Sequence, residues 1–216
     1  GHWALFEYIA RGGAVKNLTI ENADIICIAR DAMHPINSSV AIVAYFNDGE
    51  ISAVKLRSVR LTAVGGGAAG IVVHNYGRVV GCSVVCELVQ GNTSALGSAS
   101  YEAAGIALEN RDGGLIDNNR AVSLTVRGTG GIVRSAAGVV SVNREGGKVL
   151  CNGFDTVITI NTAQDTEYGG VVAYNAGIVR NCGATLGTLV VDGVQIGEDD
   201  NLRGRLVGKN DGEASR

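Results

Sequence analysis

The most restrictive feature of the sequence is a short segment that recurs along the whole chain. Each copy has a glycine or alanine, several apolar residues, an asparagine and a second glycine, as in residues 70–77 and 170–177. Successive frame asparagines are 28, 35, 33, 32 and 35 residues apart. Self-similarity at such a period is typical of solenoids and related repeat folds. The frame asparagines are Asn47, Asn75, Asn110, Asn143, Asn175 and Asn210.

Each repeat contains short apolar segments separated by turn residues. A stretch such as Val79-Val80 follows the second glycine, and a longer run such as residues 122–126 comes later. No helical periodicity competes with this pattern. The sequence therefore predicts an all-β fold, a single-stranded right-handed parallel β-helix (β-solenoid) of about seven coils with three short strands per coil. We expect residues 1–216 to form one such domain, with the handedness taken from common β-helices.

The recurring residues have structural roles in such a fold. Stacked asparagines can hydrogen-bond to one another along the axis, so Asn75, Asn110, Asn143, Asn175 and Asn210 are expected to form a ladder. The glycine that follows each of them is expected to adopt the positive φ of a sharp corner. Three cysteines follow a frame asparagine by seven or eight residues and are expected to stack as small buried apolar groups. They are Cys82, Cys151 and Cys182.

Composition and charge exclude several classes of protein. Apolar residues make up 46% of the chain, which is too many for a disordered segment, and a single proline excludes collagen. A net charge of −3 gives no basic face for nucleic acid. No apolar run reaches the roughly 20 residues of a membrane span. The five cysteines form no zinc-ligand pattern, so no cofactor is expected.

One stretch resembles a known family of repeats. Residues 170–182 read Gly-Val-Val-Ala-Tyr-Asn-Ala-Gly-Ile-Val-Arg-Asn-Cys, which is similar to the GLUG-type repeats of bacterial cell-surface proteins. Such repeats occur in adhesins and in the amino-terminal regions of some immunoglobulin A peptidases. The resemblance implies an extracellular or cell-surface location and a fragment of a larger protein with neighbouring domains. It carries over no catalytic residue.

Function on a rigid scaffold is expected in the connections between strands, and two of these are long, at residues 30–39 and 90–103. Tyr101 in the second connection could stack on a sugar or meet a protein. Asp165 and Glu167 form a charged pair that could bind a ligand. His74 shares a repeat position with Glu109 and is expected to face outward.

Two further acidic features bear on chemistry. The run Glu198, Asp199 and Asp200 could hold a hard cation, but its spacing is not that of a calcium loop, and an exposed insert is the favoured explanation. Asp155 with Arg120, like Asp165 with Glu167, could serve a β-helical polysaccharide lyase or glycoside hydrolase. The sequence favours a non-catalytic surface protein that acts in adhesion, binds a host glycan or host protein, or serves as a spacer. The carbohydrate-active enzyme is the alternative.

Overall fold

The computed structural model describes residues 3–28, 39–91, 100–129, 132–155, 157–161, 167–184, 187–196 and 206–215. Within these ranges the secondary structure consists of β-strands, and stacked parallel strands form a β-solenoid. The all-β solenoid expected from the repeat is therefore confirmed. No helix in the described ranges has the length and apolar character needed to cross a membrane.

The strands lie in four sheets, here named A to D in the order in which a complete turn passes through them; strands are numbered along the chain. Sheet A contains β5 (Val40–Ala41), β9 (Ala68–Ala69), β13 (Ser100–Ala104), β17 (Ile132–Ala137) and β22 (Glu167–Gly169). Sheet B contains β1 (Phe6–Ile9), β6 (Ala44–Asn47), β10 (Val72–Asn75), β14 (Ala107–Asn110), β18 (Val140–Asn143), β23 (Val172–Asn175) and β28 (Val207–Asn210). Sheet C contains β2 (Ala14–Lys16), β7 (Glu50–Ser52), β11 (Arg78–Val80), β15 (Leu115–Asp117), β19 (Lys148–Leu150), β24 (Ile178–Arg180) and β29 (Glu213–Ser215).

Sheet D is the largest of the four. Its strands are β3 (Thr19–Glu21), β4 (Asp24–Ile28), β8 (Lys55–Val64), β12 (Ser83–Gly91), β16 (Arg120–Thr129), β20 (Gly153–Phe154), β21 (Val157–Asn161), β25 (Gly183–Ala184), β26 (Thr188–Val191) and β27 (Val194–Ile196). The described strands give about five turns that contribute to all four sheets, with partial turns before and after them. The expected count of seven coils with three strands each is not confirmed.

The core lies between the sheets and is built from stacks of like residues. In sheet C the register aligns Ile51, Val79, Ile116, Val149 and Val179, all of them buried. Full burial of one such side chain contributes about 1.5–3 kcal/mol. Each turn pairs in register with the turns before and after it. Equivalent apolar residues of successive turns therefore contact one another along the solenoid axis.

The glycines that follow the frame asparagines are needed for close approach. Gly77 does not have a positive φ, and a Cβ placed on it would overlap the carbonyl oxygen of Gly49 in the preceding turn. The expectation of a positive φ is therefore wrong for this position. A positive φ is found instead at the additional glycine of the longer turns, such as Gly113 with φ 78°.

The left-handed conformation occurs instead at the corner between sheets C and D. The residue after each of six sheet C strands has a positive φ between 53° and 65°. A non-glycine residue there costs roughly 1–2 kcal/mol, and asparagine tolerates the conformation better than most. The residues at this corner are Asn17, Ala53, Gly81, Asn118, Cys151 and Asn181.

The expected cysteine stack requires a correction. Cys82 and Cys182 are buried at one corner position, and burial raises the pKa of each thiol to about 11. Cys151, however, is exposed and lies one residue earlier in the turn, at φ 55°. The stacked position is taken there by Asn152, whose Oδ1 accepts a hydrogen bond from the backbone N–H of Asn119 at 2.8 Å. The stack thus combines cysteine and asparagine.

Candidate binding groove

A depression with a volume of about 290 Å³ lies where sheets A and B meet. We call it the polar groove. Arg144, which directly follows β18, is part of its lining. Sheet A contributes Glu102, Ser135 and Glu167, and sheet B contributes Val142, Tyr174 and Lys209. A concave site with a few convergent polar groups is the usual form of a ligand site, and this volume is at the small end of the range.

Beside the groove, the side chains at one repeated position of sheet B become smaller along the axis. In the earlier turns Tyr45, Val73 and Leu108 fill the junction and pack on alanines of sheet A. The register of sheet B aligns these positions with Ser141, Ala173 and Gly208 in the later turns. Ser141 and Ala173 are fully buried, and a Cβ placed on Gly208 would overlap the carbonyl oxygen of Tyr168, so sheets A and B approach each other closely in the later turns.

Two carboxylates lie on the sheet A side of the groove. The register pairs Glu102 with Ser135 and Ser135 with Glu167, so the two glutamates are two turns apart on the same face. Stacked strands are about 4.8 Å apart, which places the two backbones roughly 10 Å from each other. The Ser135 hydroxyl between them is hydrogen-bonded to the hydroxyl of Ser141.

The two cations that line the groove both contact carboxylates. Arg144 donates from Nη2 to Glu109 Oε1 at 2.5 Å, and Lys209 Nζ lies 3.7 Å from Asp211 Oδ2. Lys209 also lies over the ring of Tyr174, 5.2 Å from its centroid. The Tyr174 hydroxyl donates to Asp211 Oδ2 at 2.9 Å, and this hydrogen bond raises the pKa of Tyr174. Arg144, Lys209 and Tyr174 are thus each in contact with a neighbouring charged or aromatic side chain.

Glu109 is the centre of a buried charge cluster beside the groove. Its carboxylate contacts His74 Nδ1 at 2.9 Å and accepts hydrogen bonds from Arg111 and Arg144. Burial alone would raise the pKa of Glu109, but hydrogen bonds from His74 and Arg144 and the charges of both arginines lower it far below its usual range. The ring of Phe46 stacks on His74 with centroids 5.1 Å apart. The cluster anchors Arg144 and keeps Glu109 ionised.

A second, smaller depression lies at the same junction in the first two turns. Its volume is about 210 Å³, and it is lined by Trp3, Ala4, Glu7 and Tyr45. Trp3 is 38% exposed. Tryptophan is enriched at protein interfaces, because its side chain combines a large apolar surface with a polar N–H group.

The structure places the site residues predicted from the sequence in different locations. Glu167 lies in the polar groove. Tyr101 belongs to β13 directly before Glu102, and only its backbone is described. The connection expected over residues 90–103 is shorter, since β12 extends to Gly91 and β13 begins at Ser100. Residues 30–38 lie outside the described ranges, as do Asp165, Glu198, Asp199 and Asp200.

The two remaining predictions concern charged side chains. His74 pairs with Glu109 in the register and is partly buried in the charge cluster, with 18% of its side chain exposed. Arg120 and Asp155 lie on sheet D and at the end of β20, away from the groove lining. Among the described residues no group of three or more His, Cys, Asp or Glu side chains could hold a metal ion.

Sequence reasoning missed most of the groove residues, including Glu102, Arg144 and Lys209. The aligned repeats show only that Tyr45, Val73 and Leu108 give way to smaller residues at the position before Val142, Tyr174 and Lys209. No family model, curated protein or solved structure matches the chain.

Proposed function

We propose that the chain is a non-catalytic β-solenoid of a bacterial cell surface that acts in adhesion or as a scaffold, with a glycan or a host protein as its partner. The observation that carries the proposal is the polar groove, an open site on a rigid stack of strands. The extracellular location and the neighbouring domains of a larger parent chain rest on the resemblance to GLUG-type repeats. A right-handed stack of about seven coils, counting the partial turns, belongs to the same proposal.

A direct binding assay tests this function. The protein is incubated with a panel of insoluble polysaccharides and mucins, and both co-sedimentation and new reducing or unsaturated sugar ends are followed. Binding without new ends is the expected result. If the protein neither binds nor cleaves any polysaccharide, the spacer role is favoured. New sugar ends would overturn the non-catalytic proposal.

The alternative is a carbohydrate-active enzyme, and one observation favours it. Glu102 and Glu167 face the same groove two turns apart, and inverting glycosidases use two carboxylates separated by roughly 6.5–9.5 Å. In that mechanism one carboxylic acid protonates the leaving oxygen while the other carboxylate activates water. If new reducing ends appear, Glu102→Gln and Glu167→Gln should each abolish them, while Glu87→Gln on sheet D should have no effect.

A further inference from the structure

The smaller depression in the first two turns differs in its chemistry from the polar groove. We call it the aromatic pocket; its volume is about 210 Å³, and it is lined by Trp3, Ala4, Glu7 and Tyr45. The lining thus combines two aromatic side chains, a methyl group and one carboxylate, and no lysine or arginine of the described ranges takes part in it. Aromatic side chains around a small space are typical of sites that bind organic cations.

Backbone pairing fixes the positions of these residues. Trp3 forms a β-bridge to β5, and its carbonyl oxygen accepts a hydrogen bond from the N–H of Ala41 at 3.0 Å. The register of β1 on β6 places Glu7 beside Tyr45. Trp3 is 38% exposed and Tyr45 only 6%, so most of the aromatic surface that a ligand can contact belongs to the indole.

Two other aromatic rings, on or directly after strands of sheet B, each contact a cation of the chain itself. Arg111 lies over Tyr76, 5.6 Å from the ring centroid, and Lys209 lies over Tyr174 at 5.2 Å. Among the described residues no arginine or lysine lies over Trp3 in the same way. The attraction of a cation to an aromatic face is strongest for tryptophan. The indole is therefore available to a cation that a ligand brings.

The charges around the aromatic pocket also favour a cation. Glu7 contributes a carboxylate to the lining. Burial raises the pKa of Tyr45, the charge of Glu109 raises it further, and the charge of Arg111 opposes Glu109 with a smaller effect. The potential around Tyr45 is therefore negative, and a negative potential attracts cations.

The contacts already present indicate which type of cation fits. Glu7 and Tyr45 both interact with neighbouring residues of the protein. A primary ammonium group, such as that of lysine, has three N–H donors that need acceptors. A quaternary ammonium group has no donor, so it can lie against the indole without taking an acceptor from the contacts of Glu7 and Tyr45. The small volume suits such a group rather than a large ligand.

From this geometry we propose that the aromatic pocket binds a quaternary ammonium group. Trp3 provides the aromatic surface, and Glu7 provides negative charge at its side. Phosphocholine and trimethyllysine both carry such a group, so the ligand can be a phosphocholine-bearing molecule or a modified protein. The aromatic pocket is separate from the polar groove, and the inference goes beyond the proposed function without depending on it.

Fluorescence provides the test, because Trp3 is the only tryptophan of the chain and its emission reports on the aromatic pocket. The protein is titrated with tetramethylammonium and with choline, and sodium chloride at equal concentration controls for salt. Dimethylbutanol is the uncharged carbon analogue of choline. We expect a saturable change with both cations and at least about tenfold weaker binding of the analogue. Titrations with phosphocholine and trimethyllysine then identify which source the site prefers.

Variants of the lining test the site itself. Glu7→Gln should weaken choline binding about threefold, and so should Tyr45→Leu, which introduces the residue that Leu108 provides at the same position of a later turn. Trp3→Leu removes both the ring and the fluorescence signal, so its binding is followed through the NMR signal of the choline methyl protons. We expect that binding to be lost.

Two matched controls separate the aromatic pocket from the rest of the surface. Tyr76→Leu removes an exposed ring, and Glu50→Gln removes a carboxylate that pairs with Lys16. Both variants should bind choline like the unaltered protein. Circular dichroism melting of every variant identifies any that fails to fold, and Glu7→Gln provides the test if Tyr45→Leu does not fold.

Three results would overturn the inference. Equal binding of choline and dimethylbutanol would contradict recognition of the charge. Choline binding that both Trp3→Leu and Glu7→Gln retain would place the site elsewhere. The absence of a saturable change with tetramethylammonium and choline would remove the ligand class altogether. Since none of these results concerns the polar groove, the proposed function would stand or fall by its own binding assay.

Discussion

Asn110 lies in the middle of a row of six asparagine side chains that runs along the solenoid. Its Nδ2 donates to Oδ1 of Asn143 at 2.8 Å, and its Oδ1 accepts from Nδ2 of Asn75 at 2.8 Å. The side chain is completely buried. Since a buried polar group without a partner costs about 1–3 kcal/mol, each internal asparagine is needed by both of its neighbours.

We therefore expect Asn110→Ala to lower the free energy of unfolding by about 3 kcal/mol, because Asn143 Oδ1 loses its donor and Asn75 Nδ2 loses an acceptor. Asn210→Ala is the matched control, since Asn210 is exposed and contacts only Asn175 within the row. Its cost should be about 1 kcal/mol or less. Urea unfolding of both variants provides the measurement. Equal losses would contradict a role for burial in the row.

At this scale the sequence predicts the asparagine row well and the cysteines poorly. The asparagine is visible because it recurs directly before a glycine-containing turn. The turn itself varies in length: sheet C resumes three residues after Asn75 but five residues after Asn143. Counting from the asparagine therefore shifts the register and predicts Cys151 in the stack, although the backbone places it at the exposed corner.

The Glu109 cluster joins three consecutive turns of sheet B. It links His74 at β10 to Glu109 at β14 and to Arg144 directly after β18. Because the side chain of Glu109 is only 9% exposed, these contacts are weakly screened by solvent. Adjacent turns are therefore held together by charge as well as by backbone pairing.

The lowered pKa of Glu109 predicts a dependence of stability on pH. A carboxylate with a depressed pKa in the folded state stabilises the fold above its unfolded pKa, about 4.3, and that contribution is lost as the pH falls towards the folded value. At pH 7 Glu109→Gln should be less stable than the unaltered protein by about 3 kcal/mol, as for a broken buried pair. Between pH 4.5 and pH 2 the difference should shrink.

The measurement is urea unfolding of both proteins at several pH values. Glu50→Gln serves as the control, since its carboxylate pairs with Lys16 on the exposed surface of sheet C. That variant should differ little from the unaltered protein at any pH. A difference for Glu109→Gln that stays constant from pH 7 to pH 2 would exclude Glu109 as the titrating group.

The division into elements was only partly predictable. The repeat indicates strands and turns, but the corner between sheets A and B lies inside a single apolar segment, around Gly70 and Ile71. Residues on both sides of this corner are buried, so the pattern shows no polar break. Two short strands thus look like one in the sequence, which is why three strands per coil were expected where the structure has four sheets.

In the molecule as a whole, the turns differ in how deeply their residues are buried. The strands of the first turn, β1 to β4, consist mainly of exposed and partly exposed residues, whereas every residue of β14 and β18 is buried. In a stacked repeat fold each turn is stabilised by its neighbours, and the first turn has a described neighbour on one side only. At the other end of sheet D, β27 pairs antiparallel with β26 and covers its edge.

Hydrogen exchange should follow this gradient. We expect the amides of β14 and β18 to exchange most slowly and those of β1 and β2 to exchange early, because they open without disrupting the rest of the stack. Mass spectrometry of peptides from each turn after timed exposure to D₂O provides the measurement. Uniform protection from β1 to β18 would instead indicate one cooperative unit.

The polar groove also belongs to the scale of the whole molecule, and this explains why it was not predicted. Its lining comes from two sheets and from turns that are far apart in the sequence, such as Glu102 and Lys209. It lies beside a position of sheet B where the side-chain size changes between aligned turns. That change can be recognised only once the register of sheet B is known.

The asparagine row has a fixed direction, because every Nδ2 donates towards the following turn. Amide dipoles that point the same way add together and polarise one another, so the row carries a partial negative charge at Asn47 and a partial positive charge at Asn210. Ile9 occupies the asparagine position before Asn47 and has no polar group to offer. The row can therefore be extended past Asn210 by any turn that presents an acceptor, but not backwards past Ile9, and the two ends of the solenoid are electrically distinct.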